Sequence, residues 1–205
     1  MERANLEEII LQKGEDLFMN RGFDGVSTID IAKEAGCNQA LLHYYFRTKK
    51  NLFAKIFQNK LQSVQEQMKI TANITASLEE KIENIIDAHF SFLRQDPRLP
   101  LFIMNELKNN SEVIDTMKET YMATINPFLS NIQMDLDKAF KDGKIREISA
   151  FNLMMDIISL DAFIFIAEPV MTNILSYSEE EKDECYNIRK QEIKRLIIQG
   201  IKKEN

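Results

Sequence analysis

The sequence predicts an all-α protein. Apolar residues recur every three to four positions along nearly the whole chain, which is the periodicity of an amphipathic helix. No segment shows the alternation of apolar and polar residues that indicates a half-buried strand. The 205 residues are 44% hydrophobic and 28% charged, with few glycines and prolines, so the chain can bury a core and contains little that favours disorder.

Four helices are predicted in the first third of the chain from the residues that start and end them. Ser, Thr or Asn before a helix accepts hydrogen bonds from its first N–H groups, and Gly after a helix adopts the positive φ that ends it. Residues of these kinds end the first helix and bound the next three: Gly22, Ser27 or Thr28, Gly36, Asn38 and Thr48.

Five further helices bring the expected total to about nine. They span roughly residues 77–94, 99–109, 112–140, 150–176 and 179–202, and Pro127 should kink the seventh helix rather than end it. We expect one domain over residues 1–48, the start of a linking helix over 49–70, and a second domain over 71–205. The stretch from Ala150 to Leu175 is the most membrane-like, but three carboxylates interrupt it, so we expect a buried helix and no membrane partner.

Residues 28–53 have the spacing of a helix-turn-helix. Two short helices that cross steeply need a small residue where they touch and a residue that allows positive φ in the turn. Ala32 and Gly36 fill these two positions. The apolar positions facing the shared core are filled as well, by Ile31, Ala35, Cys37, Leu42 and Tyr45.

The charge is unevenly distributed. The whole chain carries −6, but the segment from Lys33 to Lys60 has six positive and one negative side chain, a local net charge of +5. Phosphate attraction acts mainly within about 10 Å at moderate salt, so a local basic patch is sufficient for nucleic-acid binding. An exposed basic helix face is the structural alternative.

The same region closely resembles the DNA-binding region of the TetR/AcrR family, over about residues 6–57. The matching positions are Thr28, Ile31–Ala32, Ala35–Gly36, His43 to Phe46, Lys49 and Leu52–Phe53. Cys37 stands where Val is usual, and His43 where Tyr is common. The resemblance implies a regulator with an N-terminal three-helix DNA-binding domain and a C-terminal regulatory and dimerisation bundle.

The third helix should contact DNA bases. Gln39 is the first candidate, because a carboxamide can pair with adenine through two hydrogen bonds, and Asn38 is the second unless it only caps the helix. Ala40 and Leu41 can touch thymine methyl groups. The expected contacts to the DNA backbone are Thr28, His43, Tyr44, Tyr45 and Lys49, of which Tyr45 is alternatively a core residue.

The expected function is that of a ligand-responsive transcriptional regulator. The resemblance implies a repressor that binds a palindromic operator on double-stranded DNA as a homodimer and is released by a small, largely apolar effector. The alternative is a helical protein-interaction scaffold that carries a DNA-binding head without a small-molecule ligand. We expect no cofactor, and the N-terminus has no secretion signal, so the expected location is the cytoplasm.

Two sets of residues are candidates for effector binding and dimerisation. Adaptable Met and aromatic side chains, with a few polar ones, form the first set, of which any member is alternatively plain core. It comprises Phe90, Phe102, Met104, Asn105, Met117, Tyr121, Met122, Ile125, Met155, Asp156 and Phe163. The dimer candidates lie in the last two predicted helices, with burial inside one chain as the alternative; they are Phe151, Met154, Ile158, Phe165, Ile193, Leu196 and Ile197.

No enzyme is expected. The sequence has no glycine-rich phosphate loop, HExxH or GxSxG motif, and no set of residues with metal-ligand spacing. His89 is one of two histidines and lies in a helical segment beside Asp87 and Phe90, where a partly buried, hydrogen-bonded role is expected. Cys37 and Cys185 are too few to indicate a disulfide framework.

Overall fold

The computed structural model describes residues 3–71, 76–109 and 111–203, which form ten α-helices and no strand. The helices are α1 (Arg3–Arg21), α2 (Thr28–Glu34), α3 (Gln39–Phe46), α4 (Lys49–Thr71), α5 (Leu78–Gln95), α6 (Leu99–Asn109), α7 (Ser111–Lys141), α8 (Ala150–Ile166), α9 (Glu168–Asn173) and α10 (Glu179–Ile201). The all-α prediction is confirmed, and Pro127 lies inside α7 as expected.

The chain divides into two compact units. One comprises Met1–Ser63 and Leu101–Ala123, and the other comprises Val64–Pro100 and Thr124–Asn205. The first unit therefore contains the N-terminal helices together with most of α6 and the start of α7. The domain boundary that we placed at residue 71 from the sequence stays a prediction.

Aromatic rings form the core of the first unit. Phe18, Phe23 and Phe53 have ring centroids 5.3–5.6 Å apart, and Phe102 of α6 lies 6.1 Å from Phe53. All four side chains are buried. The rings pack large apolar surfaces together, so this cluster joins α1, the turn after it, α4 and α6.

Helices α5, α8 and α10 pack together in the second unit. Every fourth residue of α8 is buried on the side facing its neighbours: Leu153, Ile157, Asp161 and Phe165. On α10 the buried apolar side chains include Tyr186, Ile193 and Ile197. The periodicity of the sequence thus predicted these helices, but it did not predict that a carboxylate occupies one of the buried positions of α8.

The predicted helix over residues 150–176 is two helices, which corrects the expected total of nine. Ala167 ends α8 and begins α9, and Pro169 stands in the first turn of α9. Proline has no N–H to donate, and its ring clashes with the carbonyl four residues earlier in a continuous helix. The chain therefore starts a new helix at this point.

The segment Ala150–Asn173 has the length and mean hydropathy, 1.8, of a helix that could cross a membrane. One such helix is weak evidence, because core helices of bundles have the same composition. Here the segment is divided at Ala167, and one side of α8 packs on α5 and α10. We therefore interpret it as a bundle helix, part of whose apolar surface is exposed.

Candidate DNA-binding site

Reciprocal hydrogen bonds fix the start of α2. Ser27, rather than Thr28, is the N-cap: its hydroxyl accepts from the N–H of Asp30 at 3.1 Å, and the Asp30 carboxylate accepts from the N–H of Ser27 at 2.9 Å. The hydrogen bonds from the Ser27 hydroxyl and N–H lower the pKa of Asp30 below its usual value. Two of the N–H groups that a helix leaves free are satisfied in this way.

The turn between α2 and α3 depends on glycine. Gly36 has φ +66°, and the N–H of Cys37 donates to the carbonyl of Ala32 at 2.9 Å. The shared core is largely as predicted, since Ile31, Ala35 and Leu42 are buried. Cys37 and Tyr45 are half-buried, and burial raises the pKa of the Cys37 thiol.

One side of α3 is open to solvent. Leu42 and Phe46 turn inward, while the side chains on the other side are exposed, and Tyr44 retains 69% of its accessible surface. The exposed side chains include the predicted contacts Gln39, Ala40, Leu41, His43 and Tyr44. This face can therefore meet a DNA groove without any rearrangement of the helix.

Gln39 and Thr28 form a pair across the two helices. The Gln39 Nε2 donates to Thr28 Oγ1 at 2.9 Å. This bond orients the carboxamide and leaves its oxygen and one N–H available, which are the two groups that pair with adenine. Thr28 thus supports the residue predicted to contact bases, and the base contact itself stays a prediction.

Asn38 caps α3. Its Oδ1 accepts a hydrogen bond from the N–H of Leu41 at 2.9 Å, and its backbone has the extended conformation of an N-cap. Pairing with adenine through two hydrogen bonds requires the same carboxamide oxygen. The capping role left open by the sequence is therefore present, and it makes Gln39 the better candidate for a base contact.

Lys49 makes contacts inside the first unit that the sequence did not predict. Its Nζ donates to the carbonyls of Phe23 at 2.9 Å and Val26 at 3.0 Å, and it lies 4.2 Å from the centre of the Phe23 ring. Two of the three ammonium N–H donors are thus used inside the domain. Lys49 fixes the turn between α1 and α2, and its contact with a DNA phosphate stays a prediction.

Sequence reasoning missed two further residues that shape this turn. The carboxylate of Glu106 on α6 is buried and accepts from the N–H of Phe23 at 2.9 Å. A Cβ on Gly25 would lie 2.2 Å from the carbonyl oxygen of Arg21, so only glycine fits there. Glu106 lies 83 positions after its partner, so no local pattern reveals the contact.

The site agrees with the comparisons with known proteins. Residues 10–56 match the model of the bacterial regulatory proteins of the tetR family. The fatty acid metabolism regulator protein of Bacillus subtilis is 26% identical over 67% of this chain and 70% of its own length. The regulator QacR of Staphylococcus aureus is 35% identical, over 32% of this chain and 35% of its own length.

Solved structures extend the similarity to nearly the whole chain. FadR of Bacillus subtilis in complex with stearoyl-CoA has a TM-score of 0.70 at 21% identity, over 95% of this chain and 98% of that one. A regulator from Saccharomonospora viridis in complex with choline has a TM-score of 0.70 at 19% identity, over 98% of this chain and 100% of that one.

The chain carries the DNA-binding region of the tetR family over residues 10–56.

It is thus a transcription regulator whose α2 and α3 form the DNA-binding helix-turn-helix. The remaining residues predicted from the sequence concern effector binding and assembly.

The predicted effector residues are distributed over both units. Phe102, Met104, Asn105 and Met122 belong to the first unit, and Phe90, Ile125, Met155, Asp156 and Phe163 belong to the second. Phe90 and Phe102 are buried, whereas Met104, Met122, Met155 and Phe163 are exposed. The side chains of Met117 and Tyr121 lie outside the described residues. The effector site of this chain stays a prediction.

The second unit contains an aromatic cluster beside a buried acid. Phe90, Phe165 and Tyr186 have ring centroids 5.0–6.4 Å apart. Asp161, with no accessible surface, lies one helical turn before Phe165, and its Oδ2 is 2.8 Å from His89 Nδ1. The hydrogen-bonded role expected for His89 is therefore confirmed.

The Asp161 carboxylate is only partly satisfied. Its Oδ1 is the one buried side-chain oxygen or nitrogen without a hydrogen-bond partner among the described residues. Burial raises the pKa of Asp161 above its usual value, and the hydrogen bond from His89 offsets part of that rise. A buried acceptor without a partner is costly in free energy, so Asp161 is a candidate for contact with the polar end of a ligand.

A cleft of about 420 Å³ opens at the N-terminus of α8. Its lining is mostly polar and comprises Arg146, Glu147, Ile148, Ser149, Asn152 and Asp156. Among the residues predicted to bind an effector, only Asp156 lines this cleft. Its composition suits a polar molecule better than an apolar one.

The predicted dimer residues fall into two groups. Phe165, Ile193 and Ile197 are buried within the chain, as the alternative interpretation expected, so they contribute to the core of the second unit. Phe151 retains 61% and Leu196 42% of its accessible surface, and Met154 and Ile158 are half-buried. Phe151 and Leu196 are therefore the members of the set best able to meet a second subunit.

Proposed function

We propose that this tetR-family protein is a cytoplasmic repressor that binds a palindromic operator as a homodimer and leaves it when a small, largely apolar effector binds. The observation that carries the proposal is the exposed face of α3, held in place by the Ser27 and Asn38 caps and the Gly36 turn. A two-fold related pair of such helices matches DNA half-sites about one helical turn apart.

The charge of the segment between Glu34 and Glu66 supports operator binding. No Asp or Glu occurs between Glu34 and Glu66, a segment that includes α3 and most of α4. Positive side chains on this segment are therefore not neutralised by neighbours in sequence. Phosphates attract such a surface at any DNA sequence, and the α3 side chains add the sequence preference.

The exposed apolar surface of the second unit supports homodimerisation. Large apolar side chains on α8 and α10 are accessible in the single chain, among them Phe151, Phe163, Ile188 and Leu196. An apolar surface of this kind usually marks an interface. A dimer through it gives the two α3 helices the symmetry of a palindrome.

The relatives suggest which effector to test first. One sequence relative is named for fatty acid metabolism, and one structural neighbour holds stearoyl-CoA. A long acyl chain fits the largely apolar effector expected from the Met and aromatic residues. An effector that favours the DNA-free state by about 3 kcal/mol would weaken operator binding more than a hundredfold.

Calorimetry with stearoyl-CoA tests the coupling. The full-length protein should bind stearoyl-CoA, and a saturating operator should weaken that binding by the same factor by which stearoyl-CoA weakens operator binding. Choline serves as a comparison ligand, because a second structural neighbour binds it and Asp161 has a carboxylate oxygen without a partner. Equal affinities with and without operator would contradict an effector role for the ligand tested.

The alternative is a protein-interaction scaffold whose DNA-binding head works without a ligand. The apolar surface of α8 and α10 is compatible with that function as well. A gel shift distinguishes the two proposals when it is combined with a screen of small molecules. Operator binding that no apolar ligand changes would favour the scaffold.

A further inference from the structure

Arg47, directly after α3, has an unfavourable backbone conformation. Its φ is +63° and its ψ is −54°. The N–H of Thr48 donates to the carbonyl of Phe46 at 2.7 Å, which makes a γ-turn centred on Arg47. This form of the γ-turn is rare and strained for a residue with a side chain, and glycine would adopt it at lower cost.

Neighbouring groups hold Arg47 in this conformation. Its N–H donates to the carbonyl of His43 at 3.0 Å, and its own carbonyl accepts from Nδ1 of the His43 ring at 2.7 Å. Thr48 then accepts from the N–H of Asn51 at 3.1 Å and starts α4. The backbone at residue 47 is thus fixed between the end of α3 and the start of α4.

The Arg47 side chain contributes nothing visible to the fold. It is exposed, and within the described part of the chain no hydrogen bond or ion pair engages its guanidinium. Strain that is retained at a site without a structural benefit points to a function of the side chain. A guanidinium offers five donors in a fixed fork that matches the oxygens of a phosphate.

We infer that Arg47 binds a backbone phosphate of the DNA beside the groove that α3 enters, and that the strained turn fixes the direction of this side chain. The inference rests on the proposed operator binding. Arg47 follows the exposed face of α3 directly, and its neighbours Lys49 and Lys50 add positive charge. Its role is to hold the register of α3 on the DNA rather than to distinguish bases.

A structural explanation for the arginine makes the opposite prediction for stability. A cation at a helix C-terminus interacts favourably with the partial negative charge of the last carbonyls. On that explanation, Arg47→Gly removes a stabilising charge and lowers the melting temperature. On ours, Arg47→Gly relieves backbone strain and raises the melting temperature by about 2–6 °C.

The test compares Arg47→Gly and Arg47→Lys with two control variants. Ser176→Gly relieves a similar conformation in the second unit, because Ser176 has φ +56° and is the other non-glycine residue with positive φ among the described residues. Lys141→Ala removes an exposed positive charge at the end of α7. Melting temperature and operator affinity are measured for all four, the affinity at several salt concentrations.

Arg47→Gly and Ser176→Gly should both melt at a higher temperature than the unchanged protein. Arg47→Gly should also bind a selected operator roughly tenfold more weakly, with a salt slope reduced by about one per subunit. Arg47→Lys should keep the salt slope, and both controls should bind DNA as the unchanged protein does. Unchanged operator affinity and slope in Arg47→Gly, or a lower melting temperature, would overturn the inference alone. Failure of the unchanged protein to select any operator would overturn the proposed function and, with it, this inference.

Discussion

The ammonium group of Lys49 lies between two backbone carbonyls and the ring of Phe23. From the sequence, Lys49 is expected to contact a DNA phosphate. Its two carbonyl partners lie in the turn between α1 and α2, more than twenty positions away. At the scale of single residues, the contacts of Lys49 therefore depend on the tertiary fold, and its position in the sequence does not reveal them.

Lys49→Ala should lower the free energy of unfolding by about 1–3 kcal/mol, because two charge-assisted hydrogen bonds are lost in a partly buried site. Lys50→Ala is the matched control, since Lys50 is exposed and adjacent. Its effect should stay within about 0.5 kcal/mol. Denaturant unfolding measures both variants. Equal effects would show that the contacts of Lys49 do not stabilise the fold.

The Asp161 carboxyl predicts a defined dependence of stability on pH. Burial raises its pKa in the folded state, so the folded chain holds this proton more tightly than the unfolded chain does. Its contribution to stability is present below the usual pKa of 3.8 and is lost as the pH rises through the raised value. Relative to Asp161→Asn, the unchanged protein should therefore lose stability with rising pH.

Asp30 provides a control of opposite sign. The hydrogen bonds from Ser27 lower its pKa, so its contribution is present above the usual value and is lost as the pH falls. Unfolding curves at several acidic pH values should show opposite trends for Asp161→Asn and Asp30→Asn relative to the unchanged protein. The same trend in both variants would contradict the account of the buried carboxylate.

Among the helices, those with clear caps and periodicity were the most predictable from the sequence. The N-caps of three of these helices are Ser27, Asn38 and Ser77. Such caps can be predicted because the capping signal lies next to the start of the helix. The break at Ala167 was missed, since the apolar pattern continues through Pro169. Contacts such as His89 with Asp161 join residues 72 positions apart, so they depend on packing that no local pattern records.

Substitutions at Gly36 and Gly200 separate the cost of a positive φ from the effect of helix propensity. Gly36→Ala should destabilise by about 1–2 kcal/mol, because φ is +66° although a Cβ would meet nothing within 4 Å. Gly200→Ala makes the same chemical change inside α10, also in open space, and should stabilise by about 0.5–1 kcal/mol. Thermal unfolding measures both, and equal signs would contradict the explanation of the turn.

For the whole molecule, the fold could be predicted from the sequence better than the assembly. The helix-turn-helix pattern indicated the tetR fold, but the apolar residues of the last helices gave no distinction between core and interface. The structure separates buried from exposed members of this set, since Leu196 is exposed and its neighbour Ile197 is buried, and the interface itself stays a prediction. The effector residues were the least predictable, because adaptable side chains that line pockets also fill cores.

Leu196→Asp and Ile197→Asp should therefore differ. Leu196→Asp should leave the chain helical and shift a dimer at micromolar concentration toward monomer, because a stable interface of well over about 1,000 Å² does not tolerate an unpaired charge near its centre. Ile197→Asp should unfold the chain, since it buries a charge in the core. Light scattering and circular dichroism measure the two effects. A Leu196→Asp dimer as stable as the unchanged protein would exclude this face from the interface.

Selection of binding sites from random DNA duplexes, with the unchanged protein and with Gln39→Ala, tests the central claim most directly. The unchanged protein should enrich an inverted repeat with half-sites about one helical turn apart. Gln39→Ala should bind about 1–3 kcal/mol more weakly and lose its preference at one position in each half-site. Failure to enrich any repeat, or identical preferences in the two proteins, would contradict the claim that this regulator recognises an operator through Gln39 on the exposed face of α3.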